Sequence, residues 1–250
     1  MQIAALALVN IGLFRVLELG VAGPFFYCHG CPAAGFACPI GLLQTNAALG
    51  PFPFYALGTL GLFGLALGRF WCGWVCPFGT VQDLVLRIRG RRHPDRLPPI
   101  PWTKYLVLAL VLLLAWIATD TLFCKVCPAG SLFAAIPHRF VTPDLSFGRF
   151  FYIHLATLAL VLVVFFFVGR FWCRYLCPLG AIFGAFNRVG ILKVRVDFSK
   201  CARCNQCLDS CPVGIKDVES IESSTECIRC GECVEACQFN ALKISASLRK

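Results

Sequence analysis

Cysteine spacing constrains this chain more than any other feature. Cys201, Cys204, Cys207 and Cys211 stand at C-x2-C-x2-C-x3-C, followed by Pro212, and Cys227, Cys230, Cys233 and Cys237 repeat the spacing before Gln238. The chain holds 17 cysteines in 250 residues, and the others also fall largely into close groups, CxxC and CxxxC. Grouped spacings of this kind suit metal or cluster ligation in a reducing compartment better than a disulfide framework. Haem finds no purchase. C-x-x-C-H does not occur, because Pro32 follows Cys31, and of the 4 histidines only His154 falls in an apolar span.

The two C-terminal runs carry the pattern of bacterial two-cluster ferredoxins, in which the fourth cysteine of each run ligates the other cluster. One [4Fe–4S] cluster is therefore expected on Cys201, Cys204, Cys207 and Cys237, and a second on Cys227, Cys230, Cys233 and Cys211. Zinc favours paired CxxC units over evenly spaced triplets. The alternating stretch ILKVRVDF before the runs and ALKISA after them predict two short strands, so residues 191–250 form a small α+β domain.

The rest of the chain is too apolar for a water-facing globule: 58% of all residues are hydrophobic and 14% charged. Apolar runs at about 3–22, 53–70, 104–120 and 150–169 approach the roughly twenty residues that cross a bilayer. A membrane all-α domain of four transmembrane helices is expected over residues 1–190. The first run lacks a basic leader and a small-residue cleavage site, and reads as a retained helix. The net charge of +10 does not point to nucleic acid, because the basic residues flank the apolar runs. Arg87, Arg89, Arg91, Arg92 and Arg96, with Lys104, lie between the second and third runs, whereas 23–52 has no Lys or Arg. The positive-inside rule then puts both termini, the Arg-rich loop and the C-terminal domain in the cytoplasm.

The membrane part repeats itself. GRFWCGWVCPFG from Gly68 matches GRFWCRYLCPLG from Gly169, and upstream FYCHGCPAAG matches LFCKVCPAG. Each half reads helix, CxxCP loop, helix, GRFWCxxxCP, and two parallel halves are expected about an axis along the membrane normal. Within a half, the two cysteine pairs fall at opposite ends of a span, about 30 Å apart. Pairing between halves gives an inner cluster on Cys72, Cys76, Cys173 and Cys177 and an outer cluster on Cys28, Cys31, Cys124 and Cys127. The total is four [4Fe–4S] clusters, with Cys38 left over. For the outer pairs a second reading stands, in which they are disulfides or redox-active dithiols.

Arg15 and Glu18 lie within the first span, and ionisable groups there are costly. With His154 they form a candidate quinone site, or else a salt bridge that locks helices together. The aromatic residues around GRFW anchor an interface or pack around a cluster.

The paired GRFWCxxxCP motifs followed by a two-cluster segment resemble the NapH/NosR-type membrane polyferredoxins. The resemblance covers nearly the whole chain, with Cys72, Cys76, Cys173 and Cys177 at the matching positions. It implies a quinol dehydrogenase or electron-transfer subunit of a membrane complex, surrounded by lipid and working with other electron-transfer subunits. The outer CxxC pairs are an addition to the simplest pattern of that family. The expected function is electron relay between the quinone pool or a redox partner and the C-terminal domain. Two alternatives are a dithiol relay that exports reducing power through the outer pairs and a redox-sensing or assembly protein.

Overall fold

The computed structural model describes residues 2, 22–28, 36–88, 90, 100–141 and 148–246. The predicted first span, with Arg15 and Glu18, lies outside the described residues apart from its last position, and so does Cys31. The elements described are α1 Pro39–Leu49, α2 Phe54–Leu67, α3 Phe70–Trp74, α4 Pro77–Ile88 and α5 Thr103–Ala118. A 3₁₀ turn, Leu122–Val126, leads into α6 Pro128–Gly130, a π turn Ser131–Ala135 and α7 Ile136–Val141. Then come α8 Arg149–Phe167, a π turn Trp172–Leu176, α9 Pro178–Phe186, β1 Leu192–Val196, α10 Gln206–Asp209, α11 Glu232–Glu235 and β2 Leu242–Ala246.

Four of these helices, α1, α4, α6 and α9, start at a proline that follows a cysteine: Cys38, Cys76, Cys127 and Cys177. Proline suits the first helical position because its fixed φ is helical and its missing N–H has no helical partner there. The stretches 23–52 and 121–149, which lie between the expected spans, therefore contain helices of their own. An apolar run such as 53–70 does not continue as one rod. Gly68 ends α2 at φ 52°, a left-handed conformation open to glycine, and turns Arg69 inward.

Among the described residues one helix, α8, is long and apolar enough to cross a membrane, with 19 residues and a mean hydropathy of 2.5. At about 1.5 Å per residue it matches the hydrocarbon thickness. The apolar helices α2 and α5 are shorter, at 14 and 16 residues. Each turns small or branched residues inward at helical spacing: Ala56, Leu60 and Gly64 on α2, Val111 and Ala115 on α5, and Leu158, Val161 and Phe165 on α8. Their opposite faces expose Leu62, Leu65, Leu110, Trp116, Leu160 and Phe167, an apolar exterior.

β1 and β2 pair antiparallel with Val194 opposite Ile244 and close the C-terminal segment. The two strands match the predicted ones. A small core of Val194, Cys207, Ile221, Cys227 and Leu242 lies beneath them.

Candidate metal centres

All sixteen described cysteines are free thiols. In the C-terminal segment they line two cavities. One is walled by Cys207, Cys211, Cys227, Cys230 and Cys233, the other by Cys201, Cys204, Cys207 and Cys237, so that Cys207 lines both. The fourth cysteine of each run thus lines the cavity of the opposite run. Burial pushes the Cys230 thiol up to about 12, against the pull of the Glu232 N–H and of Arg170. Burial also raises Cys233, and crowding by Cys227, Cys230 and Cys211 raises it further. Thiols held this way resist ionising unless a shared cationic centre relieves them, which is what an iron–sulfur cluster supplies. The donor set fits such a group. Among the described residues no three His, Cys, Asp or Glu side chains converge on a single-ion site.

Cys72, Cys76, Cys173 and Cys177 are all buried and come from the two GRFW repeats. The repeats hold one another through their arginines. Arg69 Nη2 donates to the Cys173 carbonyl at 2.8 Å, and Arg170 Nη1 donates to the Cys72 carbonyl at 2.8 Å. Both arginines are buried, and a buried guanidinium requires a counter-charge. Arg170 finds Asp83, with Nε donating to Oδ1 at 2.7 Å, and Arg69 finds Glu226 at 3.2 Å. Gln82, fully buried, donates to Cys173 Sγ at 3.2 Å. Two cations and an amide N–H thus surround four buried thiols, an environment that favours a negatively charged cluster. Sequence reasoning passed over Arg69, Arg170 and Gln82; the signal available was the Gly-Arg that precedes Phe-Trp-Cys in both repeats.

The same arginine fastens the C-terminal segment. Glu226, ahead of the second cysteine run, bridges Arg69 and Lys104, and both cations are fully buried. Asn187 donates to the Cys227 carbonyl at 2.7 Å, Arg229 to that of Leu67 at 2.7 Å, and Trp74 Nε1 to that of Arg229 at 2.9 Å. Gly73 lies against this loop so closely that a Cβ would sit 2.5 Å from the Ile228 carbonyl oxygen. The inner cysteines and the Cys227–Cys233 run are therefore in backbone contact. Gly73→Ala is expected to force the two backbones apart and cost about 1–3 kcal/mol, read as a lower melting temperature and easier proteolysis at 225–230. Gly61→Ala, with nothing within 4 Å of the new Cβ, is expected to hold or raise stability, since alanine is favoured by roughly 1 kcal/mol in a helix.

Cys28 is not separated from the inner cysteines by a bilayer thickness, contrary to the spacing expected for long spans. The Phe26 carbonyl lies 3.9 Å from Cys76 Sγ. Cys28 follows two residues later, a reach of about 7 Å at most. The Phe26 ring also packs 5.9 Å from Trp172 and 6.4 Å from Phe123, neighbours of Cys173 and Cys124, with Phe123 and Trp172 6.4 Å apart. One wall of rings lies between both sets. The physical reason is the short Cys-Pro helices, which carry the loop cysteines back into the fold. His154 packs on the same side as Cys127, its Nδ1 3.0 Å from Ser131 Oγ.

The chain matches the family described as 4Fe-4S binding domain over residues 49–94, 102–139 and 150–198, just over half its length, and the 4Fe-4S dicluster domain over 193–238. It is 32% identical to an uncharacterized protein of Methanocaldococcus jannaschii over 63% of this chain and 64% of that protein. It is 32% identical to the ferredoxin-type protein NapH of Escherichia coli, over 60% of this chain and 50% of NapH. A third relative is the methylamine utilization ferredoxin-type protein MauN of Paracoccus denitrificans, 30% identical over 84% of this chain and 73% of MauN. The match thus spans half to two thirds of the length of the first two relatives. No solved structure matches the chain.

Proposed function

The chain belongs to the family of NapH-type polyferredoxins, and from that premise we propose that it is a membrane-embedded iron–sulfur relay linking a redox partner to the quinone pool or to a second partner in a respiratory complex. Clusters held by its cysteines would accept and release single electrons without bond-making chemistry. The protein's own contribution is to hold the thiol sets at fixed short separations, to surround them with buried donors and cations, and to exclude water.

The observation that carries this reading is the backbone contact of Gly73 with Ile228 and Cys230, where the inner set meets the Cys211, Cys227, Cys230 and Cys233 set. In the Cys201, Cys204, Cys207 and Cys237 set, Cys204 is exposed. A soluble donor or acceptor would approach there.

Membrane placement draws support from the apolar exterior of α2, α5 and α8, and lipid is the partner that such a surface suits. The Gln2 side chain donates to the Gly73 carbonyl at 2.8 Å and to Asp83 at 2.9 Å, so the N-terminus lies at the end where Lys104 meets Glu226. With Arg87 in the last turn of α4, the positive-inside rule would put that end in the cytoplasm in a four-span topology. A quinone site would draw on Arg15, Glu18 and His154.

The test uses the protein purified anaerobically with its iron and placed in vesicles whose bilayer carries a quinone. External reductant is expected to reduce that quinone through the wild type. Cys173→Ala should lose about four irons, keep the EPR signals of the C-terminal segment and stop that reduction. Undiminished quinone reduction through Cys173→Ala would overturn the relay.

A further inference from the structure

Cys38 is the cysteine that pairwise spacing leaves without a role, and the structure gives it one. Five sites in the chain read Cys-Pro-x-Gly, and four of them open a helix: Cys38 to Gly41, Cys76 to Gly79, Cys127 to Gly130 and Cys177 to Gly180. The fifth, Cys211 to Gly214 in the C-terminal segment, opens none. At Cys177 the Gly180 N–H approaches the sulfur at 3.3 Å, and the same glycine–thiol contact recurs at Cys38, Cys76 and Cys127. The glycine three residues on also keeps the neighbouring sulfur close: a Cβ on Gly180 would sit 3.4 Å from Cys177 Cβ, and one on Gly130 3.7 Å from Cys127 Cβ. Cys31-Pro32 is followed by Ala33 and Ala34 and lacks that glycine.

The likeness extends to the sixth residue on. Gln44 follows Cys38 as Gln82 follows Cys76, whereas Phe133 follows Cys127 as Phe183 follows Cys177. Both glutamines are fully buried. Each spends its amide N–H groups in the same way. Gln82 Nε2 donates to the Phe78 carbonyl at 3.3 Å and to Cys173 Sγ at 3.2 Å; Gln44 Nε2 donates to the Ile40 carbonyl at 3.3 Å and to Cys124 Sγ at 3.4 Å. Each leaves its buried Oε1 without a hydrogen-bond partner. The correspondence therefore maps Cys38 on Cys76, Cys124 on Cys173 and Cys127 on Cys177. Cys28 fills the place of Cys72. An isolated parallel bridge, with Gly23 N–H donating to the Ala37 carbonyl at 3.0 Å, ties the segment that carries Cys28 to the one that ends at Cys38. Cys127 is within electrostatic reach of Cys38, Cys28 and Cys124.

We propose that Cys28, Cys38, Cys124 and Cys127 form a second four-thiolate cluster site built on the same template as the inner one, with Cys38 as the ligand and Cys31 outside the set. The inference rests on the iron–sulfur reading of the inner site and deepens it. Gln44 is a positioning residue, its N–H aimed at the sulfur of Cys124 as Gln82 is aimed at that of Cys173.

The experiment is iron and acid-labile sulfide per chain, with EPR-monitored redox titration, on the full chain purified anaerobically. Wild type is expected to hold about sixteen irons. Cys38→Ala should lose about four of them with one reduced-state signal, while Cys31→Ala keeps both. Gln44→Leu should keep its iron and shift that same signal to lower potential, because an N–H to a cluster sulfur favours the more negative reduced state. Loss of iron in Cys31→Ala with Cys38→Ala intact would overturn the assignment, as would a Gln44→Leu titration identical to wild type. About twelve irons in wild type, with the inner and C-terminal signals complete, would sink this site and leave the relay standing. About eight would sink both.

Discussion

Glu226→Gln is expected to loosen the C-terminal segment from the helical part by about 3–5 kcal/mol, because it leaves two fully buried cations, Arg69 and Lys104, without their shared carboxylate. The effect should be visible in the holoprotein as a lower melting temperature and as rapid amide exchange at 225–230. It also has a pH signature. Burial by itself would raise the Glu226 carboxyl, but Arg69 and Lys104 outweigh it and hold the group below the ordinary glutamate range. A depressed carboxylate contributes its stability above its unfolded pKa, about 4.3, and loses it as pH falls through the folded value. The wild-type junction should therefore be indifferent to pH from neutrality down to about 5 and weaken below the ordinary glutamate range. Glu226→Gln should be loose throughout, with that acid dependence gone. A variant as tight as wild type at neutral pH would show that the ion triad does not fasten the junction.

Arg170→Gln is expected to lower the midpoint potential of the inner cluster on the order of 100 mV, since a unit charge near 4 Å at an effective dielectric of about 20 is worth up to roughly 4 kcal/mol. The reduced cluster is the more negative state, so removing a cation disfavours it. The variant also takes from Asp83 its counter-charge, leaving it the Gln2 donor, and strips a donor from the Cys72 carbonyl. Arg170→Lys should recover much of the potential while losing the forked contact with Asp83, because lysine restores the charge without the planar geometry. Redox titration of the inner signal in the two variants separates charge from hydrogen bonding. An unchanged potential in Arg170→Gln would rule out an electrostatic role for the arginine.

What was legible in the sequence was what spacing alone dictates. The two C-terminal runs line two cavities, each with the cysteines of one expected ligand set, and the flanking alternation gives both strands, because local intervals bring side chains to a common place or face. The inner four cysteines could be grouped because their motif repeats almost letter for letter. The remainder depends on contacts between distant segments. An apolar run does not reveal that α2 stops at Gly68 so that Arg69 can turn toward Cys173 and Glu226. Nor does it reveal that Cys-Pro starts a helix inside an apparent loop. Those short helices explain why the expected distance between Cys28 and the inner cysteines fails. They also hide the kinship of Cys38 with Cys76: Cys31 stands nearer to Cys28 in sequence, whereas the kinship rests on a glycine three residues on and a glutamine six residues on.

The exchange of arginines between the repeats bears on assembly. Because each guanidinium caps the cysteine loop of the other half, neither half closes its own site, and a half-length ancestor would have had to work as a homodimer. Such a dimer presents two equivalent docking faces. Joining the halves in one chain allowed those faces to diverge. Where the first repeat has Gly73, which admits the Ile228 backbone, the second has Arg174, whose guanidinium lies under Gly214. The single chain thereby seats one C-terminal segment on the paired repeats, against Gly73 of the first and Arg174 of the second.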